Sequence, residues 1–312
     1  MVLNQVLEIV DLLDGAWVDA HRVRSFFEER GLKMVSVERV EGEGGATEFI
    51  QLRIYGSSGR GRGGDAPTLG VIGRLGGVGA RPSEIGLVSD ADGAICALSA
   101  ALKILALQRF GDFLPGDLII ATHICPDAPI IPHDPVPFMG SPVDMQTMNE
   151  REVHGDMDAV LTIDTTKGNR IINHNGFAVT PTVKEGCILP PAPDLLEIMQ
   201  RTTGRPASVL PLSQQDITPY GNGLDHINSL MQPATATDCP VVGVAITSQT
   251  VIPGSATGAS REVDIAAAAQ FVVEVAKQFT RGRCHFFSPE AYGRLVDLYG
   301  SMKRFQTMQG TD

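Results

Sequence analysis

Aromatic residues are scarce. They make up 5% of the 312 residues, and Trp17 is the one tryptophan. Few rings are therefore available for stacking bases, which argues against a single-strand nucleic-acid platform. Basic residues are also short: 25 Lys and Arg stand against 36 Asp and Glu, a formal charge of -11. Such a chain has no electrostatic drive toward a phosphate backbone. The five cysteines (Cys96, Cys125, Cys187, Cys239, Cys284) are odd in number and scattered, with no C-x-x-C pair. That argues against a disulfide scaffold and against a zinc ribbon. No uncharged apolar run reaches the roughly 20 residues of a membrane span. The opening MVLNQVLEIVDLLDG carries acids where an export signal carries Lys or Arg, so it reads as an amphipathic helix. The expectation is a cytoplasmic protein with no nucleic-acid and no membrane partner.

What is present is an ordinary globular composition, 43% hydrophobic and 20% charged, punctuated by 34 glycines and 20 prolines. That punctuation suits many strand-to-helix turns. Leu3, Val6, Leu7, Val10 and Leu13 are spaced for a helix over 3–13, and a second helix is expected over 17–30. Strands are expected over 34–40 and 49–55, joined through EGEGGATE, a separation that suggests a loop longer than two residues. GSSGRGRGGDAP contains a formal G-x-G-x-x-G at Gly59, Gly61 and Gly64. A dinucleotide site needs that motif to open a helix directly after a strand, whereas here Asp65-Ala66-Pro67 and another strand come next.

Short apolar runs at 68–73, 117–124, 158–164, 207–212 and 240–246 read as buried strands. Helices are expected over 92–110, 192–203, 222–232, 262–280 and 288–304. Ile95, Leu98, Leu102 and Leu105 form the stripe of the first of these, and Ser89-x-x-Asp92 before it resembles a capping box. Strands alternating with helices predict an α/β fold, a three-layer αβα sandwich around a mostly parallel sheet. No repeat or composition break divides the chain. One domain over 1–312 is expected, with N-terminal helices and antiparallel strands over 1–56, a core over 67–280 and a C-terminal helix over 281–312.

In an open α/β sheet, ligands bind outside the carboxyl ends of the strands. The polar residues that fall there are Arg74 just past the 68–73 run, Asp90 and Asp92 before the long helix, His123, Cys125 and Asp127 at the end of the 117–124 run, and Asp164 at the end of 158–164 with His174 beyond it. Carboxylates and imidazoles gathered at one edge suit Zn²⁺ or Mn²⁺. Two such ions sharing a carboxylate would activate a water for hydrolysis. Each residue also has a plainer use. Asp90 is as readily a helix cap as a ligand, and Asp92 suits the first helical turn. His123 fits an apolar core, and Cys125 is more readily a small buried side chain than a nucleophile. His174 in INHNG suits a loop. Asp225 and His226 suit a helix start.

The order of these segments resembles the co-catalytic zinc aminopeptidases and carboxypeptidases. SDADGAICALSAALKIL resembles their bridging-Asp segment, GDLIIATHICPDAPI the strand that carries a Glu-Glu pair, and AVLTIDTTKG the strand ending in a further Asp ligand. YGNGLDHINSL and VIPGSATGASREVDIAAAAQFV resemble the later loop and last helix. The departures are specific. Arg74-Leu75-Gly76 stands where those enzymes carry an H-x-D ligand pair, Pro126-Asp127 stands near the Glu-Glu position, and 250–262 lacks the late His. The whole chain resembles most closely a bacterial and archaeal family, domain of unknown function 1177.

The resemblance implies a metal-dependent hydrolase of a small amide or peptide-like substrate, with a rearranged ligand set. Asp90, His123, Asp127 and Asp164 would hold one or two Zn²⁺ or Mn²⁺ ions. Arg74, His174 and Asp225 would bind substrate, Arg74 by a bidentate grip on a carboxylate. His133 and Asp134 are the candidates for the catalytic base. It also implies a homo-oligomer. The alternative is a metal-free protein of the same fold, acting as a small-ligand binding or regulatory module. Metal-free chemistry at Cys125 with His123 as base would need a depressed thiol pKa.

Overall fold

The computed structural model describes residues 1–310. In chain order it runs α1 (Leu3–Leu13), α2 (Ala20–Glu29), β1 (Met34–Gly42), β2 (Gly45–Ile54), β3 (Leu69–Gly73), α3 (Asp92–Arg109) and β4 (Leu118–Ile124). Next come β5 (Ile130–Ile131), β6 (Phe138–Met139), α4 (Met145–Glu152), β7 (Ala159–Thr165), β8 (Gly176–Val179), β9 (Val183–Lys184), β10 (Cys187–Ile188) and α5 (Pro193–Thr203). The last are β11 (Val241–Thr247), α6 (Glu262–Phe279) and α7 (Pro289–Tyr299). Among the described residues no helix is long and apolar enough to cross a membrane.

The sheet order is β1-β2-β4-β3-β7-β11-β9-β10, with β8 also paired to β11. β4, β3, β7 and β11 are mutually parallel. The pairs at either flank are antiparallel. The central strands are buried along their length, as a parallel sheet covered on both faces requires. One face carries α1, α3, α5 and α6, packed through Ile9, Leu13, Ile95, Leu98, Ile198, Phe271 and Val272. The other face buries Ile72, Val160, Leu210, Leu230, Met231 and Ala245. The α/β class and the mostly parallel centre are thus as expected.

α3 lies unusually close to the sheet. A Cβ at Gly93 would stand 1.9 Å from the Arg74 carbonyl oxygen and 2.6 Å from that of Ile163. Only glycine permits this approach, and it sets the start of α3 directly against the ends of β3 and β7.

Several expectations are corrected. β1 and β2 are joined through Glu43 and Gly44, with Gly42 opposite Gly45. This is a two-residue connection: backbone pairing continues through polar sequence to Gly42 and Gly45, and Gly45 takes a φ of +126° that suits glycine. Residues 207–212 form no strand; Val209 makes an isolated bridge to Val179, and the ring of Pro211 removes a donor. The helix expected over 222–232 is absent. Gly221 and Gly223 turn the chain with positive φ of 88° and 80°, which no right-handed helix accommodates. The capping box is absent too: α3 begins from Ala91 with no side-chain cap, after a single 3₁₀ turn over Ser89–Ala91. α4, unforeseen because MQTMNERE lacks an apolar stripe, is started by Asp144, which accepts from the Thr147 N–H at 2.7 Å.

Candidate functional site

Four loops meet at the carboxyl edge of the central strands. The chain after β3 passes alongside the chain after β4, with bridges from Gly77 to Cys125 and from Ala80 to Asp127. It then delivers Ser89 and Asp90, whose N–H groups donate to the carbonyls of Ala256 and Gly254 at 2.8 and 3.0 Å. The loop after β11 is thereby tied to the head of α3. The fourth loop, over 213–231, is folded by Asp216. Its carboxylate accepts from the Ser213 N–H and hydroxyl, each at 2.8 Å, and from the Ile227 N–H at 2.6 Å.

Asp90 and Asp164 are neighbours at this meeting point and are 7% and 3% exposed. Asp164 accepts from the Ser229 hydroxyl at 2.9 Å. Asp90 Oδ2 is buried and has no hydrogen-bond partner, as are the hydroxyls of Ser89 and Thr166. Burial, then the charge of Asp164, holds the Asp90 carboxyl well above the usual carboxylate range. Burial pushes Asp164 up to about 7, against the opposing pull of Ser229 and Arg74. Neither carboxylate forms an ion pair among the described residues, an unfavourable arrangement for buried acids.

The neighbouring acids Asp92 and Glu152 are, by contrast, each paired with a cation. Asp92 accepts from Ser260 and lies 2.5 Å from the Lys167 ammonium. Glu152 bonds Arg74 at 2.9 Å through Oε2 and His123 Nδ1 at 3.1 Å through Oε1. Arg74 also donates to Asn149 at 3.0 Å. His123 Nε2 accepts from the Gly76 N–H at 3.1 Å. A backbone N–H can only donate, so Nδ1 carries the ring proton toward Glu152. Both ring nitrogens are then in use. Tyr220 stacks on His226 with ring centroids 4.4 Å apart, and burial together with Asp164 keeps its phenol protonated.

The residues singled out in the sequence are distributed unevenly. Asp90 and Asp164 are brought together. His123 and Arg74 are buried and linked through Glu152. Asp127 is exposed and receives the Cys125 thiol at 3.5 Å. His133 and Asp134 lie exposed between β5 and β6, where His133 packs edge-on against Phe138. His174 is half-buried against Thr247 and the Phe177 carbonyl, and Asp225 is exposed. Among the described residues no three His, Cys, Asp or Glu side chains converge so as to hold a metal ion. Glu152, Lys167, Ser229 and Tyr220 were not foreseen. Lys167 had a signal, a charge three residues beyond Asp164 in TIDTTKG; Glu152 sits in a polar helix and had none.

Tetrahedral zinc takes three or four protein donors, mostly His and Cys. Asp90 and Asp164, with no third His, Cys, Asp or Glu converging on them among the described residues, fall short of that set; oxygen donors of this kind suit a hard cation such as Mn²⁺ better than zinc.

The model of the family described as "Protein of unknown function (DUF1177)" matches residues 38–309. The chain belongs to this family. No curated protein matches its sequence. Among solved structures it is similar to the bottromycin maturation enzyme BotP in complex with Mn, at 13% identity and a TM-score of 0.56, over 88% of this chain and 71% of that one. It is also similar to a glutaminyl cyclase from an Acidobacteriales bacterium, at 10% identity and a TM-score of 0.51, over 90% and 94%. An M17 aminopeptidase from Trypanosoma brucei shares 12% identity at a TM-score of 0.50, over 88% of this chain and 62% of that one. At these identities the likeness establishes the fold, a peptidase-like α/β architecture.

Proposed function

We propose that this chain is a metal-dependent hydrolase of a small amide or peptide-like substrate, with Asp90 and Asp164 as the carboxylates that hold the metal. The observation that carries this reading is the pair itself: two buried acids whose charges act on one another, neither with a cation and one with an orphaned oxygen. The similarity to an enzyme solved with Mn supports it. When bound, a divalent cation supplies Lewis-acid polarisation of a carbonyl and activation of water. The chain's own residues would orient and enclose. Ser229 fixes Asp164 through its hydroxyl. The Gly254 carbonyl fixes the Asp90 backbone. The Tyr220 phenol, kept protonated, would donate a hydrogen bond to negative charge developing on a substrate oxygen.

A second reading, a metal-free binding module of the same fold, is favoured by the engagement of both His123 nitrogens and the lack of a third converging ligand among the described residues. Metal content of untagged protein purified without chelators separates the two. The hydrolase reading expects bound Mn or Zn, lost together with hydrolysis of dipeptides or acylated amino acids in the Asp90→Asn, Asp164→Asn double variant. That variant is expected to keep its circular dichroism, since each Asn keeps the size and shape of the Asp it replaces. Protein that holds no metal and takes none up supports the binding module.

A further inference from the structure

We infer that the β5–β6 hairpin is a flap over Asp90, with Met139 as the plug that has to lift before anything can reach that carboxylate. The inference concerns access and goes beyond either reading above, since a metal ion and a small ligand would need the same opening.

Asp90 lies in a cradle of two glycines. A Cβ at Gly77 would stand 3.1 Å from Asp90 Oδ2 and 3.5 Å from Met139 Cε. A Cβ at Gly254 would stand 3.5 Å from Asp90 Oδ1 and 3.2 Å from Met139 Cγ. Neither glycine sets a side chain beside the carboxylate, and the Met139 side chain meets both. Met139 is 2% exposed and Asp90 7%, so the unpartnered Oδ2 is shut off from solvent.

The element that carries this plug is weakly held. Its stem is closed by the Gly140 N–H, which donates to the Pro129 carbonyl at 2.7 Å. Beyond that stem, among the described residues, 130–138 forms no hydrogen bond and no ion pair with the chain outside the hairpin. No residue of 131–138 is buried. Pro129, Pro132, Pro135 and Pro137 have no N–H to offer the body of the protein, and their fixed φ stiffens the arm. What seats the arm is Met139, packed with Ala80, Val88, Cys125 and Ala128, and Val136, whose Cγ2 would stand 3.4 Å from a Cβ at Gly168. An element with few buried apolar contacts and no polar ties opens far more readily than the core. A stiff arm that turns at its two ends is how lids uncover a site.

Hydrogen peroxide reads this opening on the full-length protein without any activity assay. Met157 is the internal reference: it is also 2% exposed, but it belongs to the apolar layer against the sheet. Peptide-resolved mass spectrometry, at peroxide levels that leave the circular dichroism unchanged, is expected to show Met139 oxidised faster than Met157, on the order of tenfold or more. Equal rates would overturn the flap. Val136→Cys with Gly168→Cys then pins the arm, because the two positions lie within disulfide reach. In the cross-linked protein the Met139 rate is expected to fall to that of Met157, while each single variant keeps the wild-type rate. A Met139 rate unchanged by the cross-link would mean that peroxide arrives by another route, and would refute the flap as well. Should the cross-link fail to form, the wild-type ratio decides alone.

Discussion

The Lys167 ammonium lies 2.5 Å from the Asp92 carboxylate, with both side chains sealed from solvent at 2% and 0% exposure. Lys167 also donates to the Ala259 carbonyl at 3.0 Å, so the contact joins the segment after β7, the head of α3 and the loop before α6. Lys167→Met would leave Asp92 as a buried charge without its cation. Breaking such a pair costs about 3–5 kcal/mol. The expected outcome is a matching fall in the free energy of urea unfolding, with most of the loss recovered when Asp92→Asn is added. A double variant no more stable than the single would show that Lys167 is not there to balance Asp92.

Asp216 organises the 213–231 loop through donors on either side of it, Ser213 just before and Ile227 eleven residues beyond. Hydrogen bonds to a charged group contribute about 1.5–3 kcal/mol each. Asp216→Ala should therefore release this loop while leaving the sheet intact. Hydrogen exchange is the suitable measurement: amides of 213–231 are expected to lose protection, and those of β7 and β11 to keep it. Uniform loss across the sheet would mean that the loop and the core unfold together.

The fold is largely legible in the sequence because its signals are apolar runs. TLGVIG, DLIIATHI, DAVLTID and PVVGVAI each cover most or all of a central strand; Asp164 stands out as the acid that ends one of those runs, and Asp90 as an acid just before the long helix. The loop over 221–231 mimics a helix because NGLDHINSL carries helix-like spacing, while its conformation is governed by Gly221, Gly223 and the distant Asp216. The fates of Arg74 and His123 are not legible at all. Both depend on Glu152, which lies on a polar helix with no periodic signature and reaches them across 78 and 29 residues of chain. Long-range pairing of that kind leaves no local pattern to read.

Cys125 is buried, and burial followed by the charge of Asp127 pushes its thiol up to about 12. Burial also pushes Cys284 to about 12. Nucleophilic chemistry needs the thiolate, so at pH 8 alkylation of Cys125 in the native protein should be on the order of a thousandfold slower than in urea. The same shift sets a pH dependence. A raised thiol pKa means that the folded state favours the protonated form. That contribution is complete below the unfolded value of 9.0 and is lost as the pH rises toward about 12. Urea midpoints measured on either side of pH 9 should show stability declining on the alkaline side. Rapid native labelling of Cys125 would contradict its burial and reopen a thiol mechanism.

The contact at Gly93 has a consequence for how such a site persists through sequence change. The head of α3 rests on the carbonyls of Arg74 and Ile163, backbone against backbone. The seat of the α3 head on the ends of β3 and β7 is therefore gauged by main-chain atoms, which no substitution in the Leu, Ile and Ala side chains behind α3 replaces. The hydrophobic layer can drift residue by residue while the head of α3 keeps its seat. Positions 93 and 73 are the exceptions: a methyl group added at either would meet main-chain atoms across this contact and push the head of α3 off the sheet.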